Sequence, residues 1–319
     1  MVGDQLSEVF DLVEVRGLLT GVLVATGPWV SRGPVEHPLK FFAVVCGRVR
    51  LSTDGLEAPV ELAAGDVAIL SNRSWLALEG GDGDATRREV QPEADFSSAR
   101  LSAAYRGSDD VVIGGCVDLD PAGRALLLRA LPAVGHVRAS AASATKLRGN
   151  LDGLYDEVTG RRMGSAFAIR QYGQLLLLEL VRAYVEQVEL PPGWLRLLTD
   201  ERLRPALGLM HADPARPWGL QELARAATMS RTSFAERFRA VAGVPPLTYL
   251  NRWRMLLAQR ALRDGDVRVG SLALDLGYAS VSAFSTAFKR EVGESPLRYR
   301  HRARGGDGLT PSRAARPGW

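Results

Sequence analysis

Leu220-Gln-Glu-Leu-Ala-Arg-Ala-Ala-Thr-Met-Ser230-Arg-Thr-Ser-Phe234-Ala-Glu-Arg-Phe238-Arg is answered further on by Ser280-Val-Ser-Ala-Phe284-Ser-Thr-Ala-Phe288-Lys. The match continues through Gly243, Pro246, Leu247 and Tyr249 in the first copy and Gly293, Pro296, Leu297 and Tyr299 in the second, always fifty positions apart. A repeat of this kind is one supersecondary unit used twice. Upstream, Leu223-Ala224 matches Leu272-Ala273 one residue closer, so the second copy has one extra residue before its Ser.

Each copy is punctuated as helix, turn, helix. Leu220, Leu223, Ala224 and Ala227 fall at helical spacing. Ser230 and Ser280 then stand where a side-chain oxygen accepts from the free N–H groups of a new helix. Gly243 and Gly293 suit the left-handed residue past its end, and Pro246 and Pro296 suit the first turn of the next helix. At about 100° per residue, Phe234, Phe238 and Val241 form a buried stripe. Thr232, Glu236 and Arg239 face the other way, with Ser233 and Ala240 beside them. In the second copy Phe284 and Phe288 are buried, while Ser282, Thr286 and Lys289 face out, flanked by Ser285 and Arg290. With Arg237 added, these exposed faces carry the donors, acceptors and positive charge that reading base edges in a major groove requires.

The Phe238-Arg-x-x-x-Gly243-x-x-Pro246-x-x-Tyr249 run, then Arg252, Arg254, Ala258 and Leu262, then Gly277-Tyr278-x-Ser280-x-x-x-Phe284-x-x-x-Phe288-Lys-Arg290 resemble the DNA-binding domain of AraC-type (AraC/XylS) transcription regulators. The resemblance covers roughly residues 201–303 and implies two helix–turn–helix motifs on double-stranded DNA. Between them a helix is expected from about Pro246 to Arg263, with Leu247, Leu250, Trp253, Leu257 and Ala261 along its apolar stripe.

Charge points the same way. Residues 200–319 hold 20 Arg or Lys against 11 Asp or Glu, a net of +9, whereas residues 1–199 hold 20 against 25, a net of −5. A nucleic-acid partner is therefore expected for the basic part. Arg202, Arg204, Arg252, Arg254, Arg298, Arg300 and Arg302 are candidates for phosphate contacts.

From about Asp11 to Cys116 the pattern is that of short strands. Phe41-Phe-Ala-Val-Val-Cys46-Gly-Arg-Val-Arg-Leu51 runs to the turn signal Asp54-Gly55, Val67-Ala-Ile-Leu70 follows Gly65-Asp66, and Ala103-Ala-Tyr105 and Val111-Val-Ile113 come later. Strands so spaced suggest a sandwich or barrel. The Gly47-x-Val-x-Leu and Gly65-Asp66-Val pieces resemble a cupin, the small β-barrel that AraC-type regulators often carry as an effector domain. His37, Phe42, Val44, Arg50 and Trp75 are the candidate lining for a small-molecule effector; core filling explains Phe42 and Trp75 equally well. Many cupins hold iron or manganese with several His and a Glu. Here the segment offers only His37, and Ser71-Asn-Arg-Ser-Trp75 stands where a second His usually falls, so no metal or other cofactor is expected. Cys46 and Cys116 would serve as a redox switch only if the barrel brings them together and one is a low-pKa thiolate.

Asp120-Pro121 opens a helix, and further helical blocks run from about Ala141 to Thr159 and from Gly164 to Glu189. The last has an apolar stripe broad enough for both the barrel and a partner subunit. Pro191-Pro192-Gly193 marks a hinge. The expected fold is thus α+β and multidomain. It comprises a cupin-like β-barrel over 1–120, a helical dimerisation and linker segment over 121–199, an all-α double helix–turn–helix over 200–303, and a disordered tail over 304–319. No apolar run is of membrane-spanning length, and the start lacks a signal-peptide pattern, so the cytoplasm is expected. The family resemblance implies a homodimer formed through helices beside the barrel, with RNA polymerase as a further candidate partner. The competing reading is a metal-dependent cupin-type enzyme tethered to a DNA-binding module; no paired-carboxylate or Ser/His/Asp constellation supports it.

Overall fold

The structure is a computed structural model, and it describes residues 4–13, 15–81, 86–92, 110–139, 144–160, 162–187 and 190–305. These fall into two compact units, one within residues 13–189 and one joining residues 4–12 with residues 190–305. The expected strand at Ala103–Tyr105 and most of the expected tail lie outside the described residues.

The described residues of the first unit form ten strands: β1 (Val15–Ala25), β2 (Trp29–Pro34), β3 (Leu39–Cys46), β4 (Arg48–Thr53), β5 (Val60–Ala63), β6 (Val67–Ser71), β7 (Trp75–Gly80), β8 (Arg88–Glu89), β9 (Asp110–Leu119) and β10 (Val134–Val137). They form two five-stranded sheets, ordered β1-β9-β3-β6-β10 and β5-β4-β7-β2-β8. Leu23, Phe42, Val44, Ala68, Leu70 and Val112 from the first sheet and Trp29, Val49, Leu51, Leu62, Leu76 and Leu78 from the second share one core. Strand β4 shows the period this requires, with Val49, Leu51 and Thr53 buried between less buried neighbours. Strand β3 does not alternate, because it is covered on both faces. Helix α3 (Ala144–Gly160) places Leu147 and Leu151 over its outer side, which is why Phe41-Phe-Ala-Val-Val reads as an unbroken apolar run. Helix α4 (Ser165–Gln187) lies along β1 and β10.

Asp110 joins the sheets at one end. Its carboxylate accepts from Trp29 Nε1 at 2.7 Å, Gly81 N at 2.8 Å and Arg48 N at 3.2 Å. Two predicted details turn out as read: Asp120 caps α2 (Pro121–Leu128), accepting from Ala122 N and Gly123 N, and Gly55 takes a positive φ after Asp54. Strand β10 was not legible, since Val-Gly-His-Val is too short to show a period. It exists because its backbone pairs with β6, with His136 Nε2 held 2.9 Å from Asp66 Oδ2.

The second unit is helical: α1 (Gln5–Phe10), α5 (Trp194–Thr199), α6 (Arg204–Ala212), α7 (Leu220–Ala226), α8 (Arg231–Ala242), α9 (Pro246–Asp264), α10 (Val269–Asp275), α11 (Val281–Val292) and α12 (Pro296–Gly305). It has two cores. One gathers Leu197, Leu207, Trp218, Leu223, Phe234, Phe238 and Leu250; the other gathers Met255, Ala258, Leu262, Leu272, Phe284, Phe288 and Tyr299. Helix α9 threads both, contributing its first half to one and its second half to the other. The single stripe expected along it is therefore corrected. Leu247 is 42% exposed, and Met255, Ala258 and Leu262 are buried instead, because the helix turns a different side to each core.

Candidate nucleic-acid interface

The two copies are alike in detail. Ser230 Oγ accepts from Ser233 N at 3.2 Å and Ser280 Oγ from Ala283 N at 3.1 Å, so α8 and α11 begin with the same cap. Each ends on a left-handed glycine, Gly243 at φ 72° and Gly293 at φ 92°, whose N–H closes the last turn. Phe234 and Phe238 lie 5.7 Å apart between ring centroids, as do Phe284 and Phe288, and Tyr249 and Tyr299 meet the second Phe of each pair edge-on. All four Phe side chains are wholly buried.

With those faces inside, the opposite faces are presented to solvent. Thr232, Ser233, Glu236 and Arg239 on α8 are exposed, as are Ser282, Thr286, Lys289 and Arg290 on α11; Ser285 is half-buried at the flank. Arg237 stands apart from this set. Its guanidinium is paired with Asp200 at 2.8 Å, a carboxylate that also accepts from Arg202 N and Leu203 N at the start of α6. That anchor ties α8 to the preceding helices.

The arginines proposed for phosphate differ in setting. Arg202, Arg204, Arg298 and Arg302 are exposed. Arg298 and Arg302 both pair with Glu294, Arg252 pairs with Glu291 at 3.3 Å, and Arg300 donates to Val267 O. Arg254 is buried, donating to the carbonyls of Pro214, Ala215 and Arg216, so it is corrected from a phosphate contact to an internal brace. Sequence reasoning also missed His211. Its Nδ1 lies 2.7 Å from Glu8 Oε2, its Nε2 lies 2.8 Å from Tyr249 Oη, and its ring stacks on Trp253 at 3.8 Å. Burial lowers its pKa, against the pull of Glu8. No local pattern announces a pair 203 residues apart.

The five effector candidates are not brought together. Phe42 and Val44 fill the core between the sheets. Arg50 projects from the other side of β4 toward Glu79 and Glu61, Trp75 is 44% exposed at the start of β7, and His37 lies in the turn before β3. The barrel interior is lined by hydrocarbon, and no three His, Cys, Asp or Glu cluster as metal ligands among the described residues. These residues do not fit a cupin metal centre. Cys46 on β3 lies opposite Val111 of β9, and Cys116 on β9 lies opposite Lys40 of β3. Those rungs are five steps apart along β9, about 16 Å at about 3.3 Å per residue, well beyond disulfide reach. Burial also pushes the Cys116 thiol up, away from thiolate.

A β-sandwich unit followed by two helix–turn–helix copies with polar, basic faces defines a two-domain DNA-binding transcription regulator. Residues 4–186 match the cupin family and residues 223–302 a helix–turn–helix domain family. A putative AraC-like transcription regulator of Streptomyces lividans is 36% identical over 300 residues, covering 93% of this chain and 98% of its own. The transcriptional regulator AlkR of Acinetobacter baylyi is 34% identical over 180 residues, 56% of this chain and 58% of its own. The DNA-binding domain of AdpA, solved with a target DNA, is 34% identical and covers 34% of this chain and 100% of its own, with a TM-score of 0.32. The chain belongs to the AraC-like transcription regulators and binds DNA in a sequence-specific way. Among the described residues no helix is long and apolar enough to cross a membrane.

Proposed function

We propose that this regulator reads a two-block operator, one block by α8 and one by α11, and that a small apolar effector bound in the N-terminal unit sets its output as a homodimer. The observation that carries the first part is the repeat itself, realised as two recognition helices with matched caps, matched buried Phe pairs and exposed polar faces. Helix α9 joins them. Its 19 residues span about 28 Å at 1.5 Å each, compatible with two recognition elements one turn of duplex apart, about 34 Å.

For the effector, the packed barrel interior leaves little room, and the seam beneath α3 offers more. A cavity of about 240 Å³ lies there, lined by Ala43, Val45, Val67, Ile113, Leu147 and Leu151, with Asp152 also on its wall. That lining suits a hydrocarbon or small aromatic body. The site is coupled to DNA reading through the chain: the N-terminal unit continues at both ends into the DNA-reading unit, toward α1 and toward α5. An effector that prefers one arrangement of α3 shifts the equilibrium by its differential affinity.

Selection of bound sequences from a random duplex library tests the reading. Two blocks about 10 base pairs apart are expected, and inserting about five base pairs between them should reduce binding to that of one block. Retained affinity with the half-turn insert means that one copy alone engages DNA.

A further inference from the structure

The two helix–turn–helix copies have separate cores, so something other than a shared core must set the angle between their recognition helices. Helix α9 is one connection. A second is the segment Asp213–Trp218, between α6 and α7. It belongs to the first copy through Trp218, which is buried in that core and whose Nε1 donates to Asp213 O at 2.8 Å. Its backbone also meets the second copy. Arg254 donates from Nε to Pro214 O at 2.6 Å and from Nη2 to Arg216 O at 3.1 Å and Ala215 O at 3.4 Å. The same guanidinium lies 5.8 Å from the ring centroid of Tyr278, in the turn of the second copy. Beside it, a Cβ on Gly277 would fall 2.0 Å from Ala215 O and 2.8 Å from its carbonyl carbon.

The repeat supplies its own control. The counterpart of Gly277 in the first copy is Thr228, and both are left-handed, at φ 76° and 53°. In each, the next N–H bonds back into the first helix, Met229 N to Ala224 O and Tyr278 N to Ala273 O, both at 2.9 Å. The turn is therefore built even with a β-branched residue, although that conformation costs energy for Thr. What demands glycine at 277 and not at 228 is the carbonyl of Ala215 lying against it.

We propose that Asp213–Trp218 is a clamp that fixes the second recognition helix relative to the first, with Arg254 and Gly277 as positioning residues that make the protein read its two blocks at one separation. This rests on the two-block reading above. Neither is assigned a DNA contact: Arg254 is buried, and Gly277 has no side chain. Arg254 acts as a planar fork filled by three carbonyls, a geometry that Lys does not reproduce.

The test uses the full-length protein and a random-sequence duplex library, followed by binding to the wild-type-selected duplex and to versions with one base pair added or removed between blocks. Wild type should return two blocks at a single separation. Gly277→Asn keeps a residue tolerant of the left-handed turn while placing a Cβ against Ala215 O, and Arg254→Lys keeps the charge without the fork. Both should return the first block unchanged and the second at scattered separations. With pre-organisation lost, affinity for the wild-type duplex should fall about tenfold, and the penalty for one added base pair should shrink to under about twofold. Thr228→Gly alters the matching turn without touching the clamp and should keep the single separation. Circular dichroism and undiminished affinity for the first block alone establish that each variant is folded; if Gly277→Asn is not, Arg254→Lys and Arg254→Met decide. A folded variant that retains the single separation overturns the clamp, as does a wild-type protein that returns two blocks at many separations. A wild-type protein that returns one block overturns the two-block reading instead.

Discussion

The two helix–turn–helix copies are built from the same parts and differ where their neighbours differ. Caps, terminal glycines, paired Phe rings and the following Pro and Tyr recur at matched positions, because each meets a demand local to its own helix pair. The departures are of another kind. Thr228 gives way to Gly277 where a carbonyl from another segment closes in. Tyr249 and Tyr299 both lie edge-on to the second Phe of their pair, but Tyr249 also meets a buried His211 and, through it, Glu8 from the far end of the chain. The exposed faces differ too, with Glu236 and Arg239 on α8 against short hydroxyls and Lys289 on α11. Repeated residues thus report the motif, and unrepeated ones report its surroundings and its sequence preference.

The largest expected effects come from breaking one copy at a time. Phe238→Ala and Phe288→Ala each empty a fully buried aromatic site and should cost about 3–5 kcal/mol. Because the cores are separate, hydrogen exchange should rise first in α7 and α8 for Phe238→Ala and in α10 and α11 for Phe288→Ala. Uniform deprotection of both copies by either change would show that they fold as one body.

Sequence preference should divide less dramatically. Glu236 is an acid on a face that approaches phosphates, a placement that makes sense where it accepts from a cytosine amino group or orients a neighbouring Arg. Glu236→Ala should relax one or two base pairs of the first block by about 1–3 kcal/mol of discrimination while leaving overall binding in place. Thr286→Ala should change the second block less, since a hydroxyl bonds to several bases. A selected motif identical to wild type for Glu236→Ala would reduce Glu236 to a surface charge.

The smallest effect is a pH response confined to the first copy. Burial holds the His211 pKa below its ordinary 6.5, with Glu8 pulling upward. The unfolded chain then binds more protons than the folded one in that window. The stabilising contribution is complete above about pH 6.5 and is lost as pH falls through the folded-state value. Between about pH 7.5 and about 5.5, α6 and the first half of α9 should lose exchange protection more than α11 and α12 do, and His211→Asn should flatten the difference. Equal loss in both copies would place the titrating group elsewhere.

Much of this was legible in the residues alone. Ser, Gly and Pro at fixed offsets and Phe at helical spacing specify a helix–turn–helix because each acts within a turn or two of its own position. Two copies in register, with the basic balance beyond residue 200, were enough to reach a DNA-binding regulator. The strands of the N-terminal unit were legible where they alternate or run apolar between turns, and β10 was not, since four residues carry no period until β6 pairs with them.

What the sequence could not assign was the use of residues whose partners lie far along the chain. Arg254 and Arg204 look alike as letters, yet one is enclosed by three carbonyls and the other is left to solvent. Phe42 and Trp75 were equal candidates for a pocket until packing put one in the core and left the other on the rim. The requirement for glycine at 277 comes from a backbone atom 62 residues earlier. Local hydrogen bonds and periodicity are written in neighbouring residues; burial, ion pairing and close backbone approach are set by whichever distant segment arrives, and only the tertiary structure decides that.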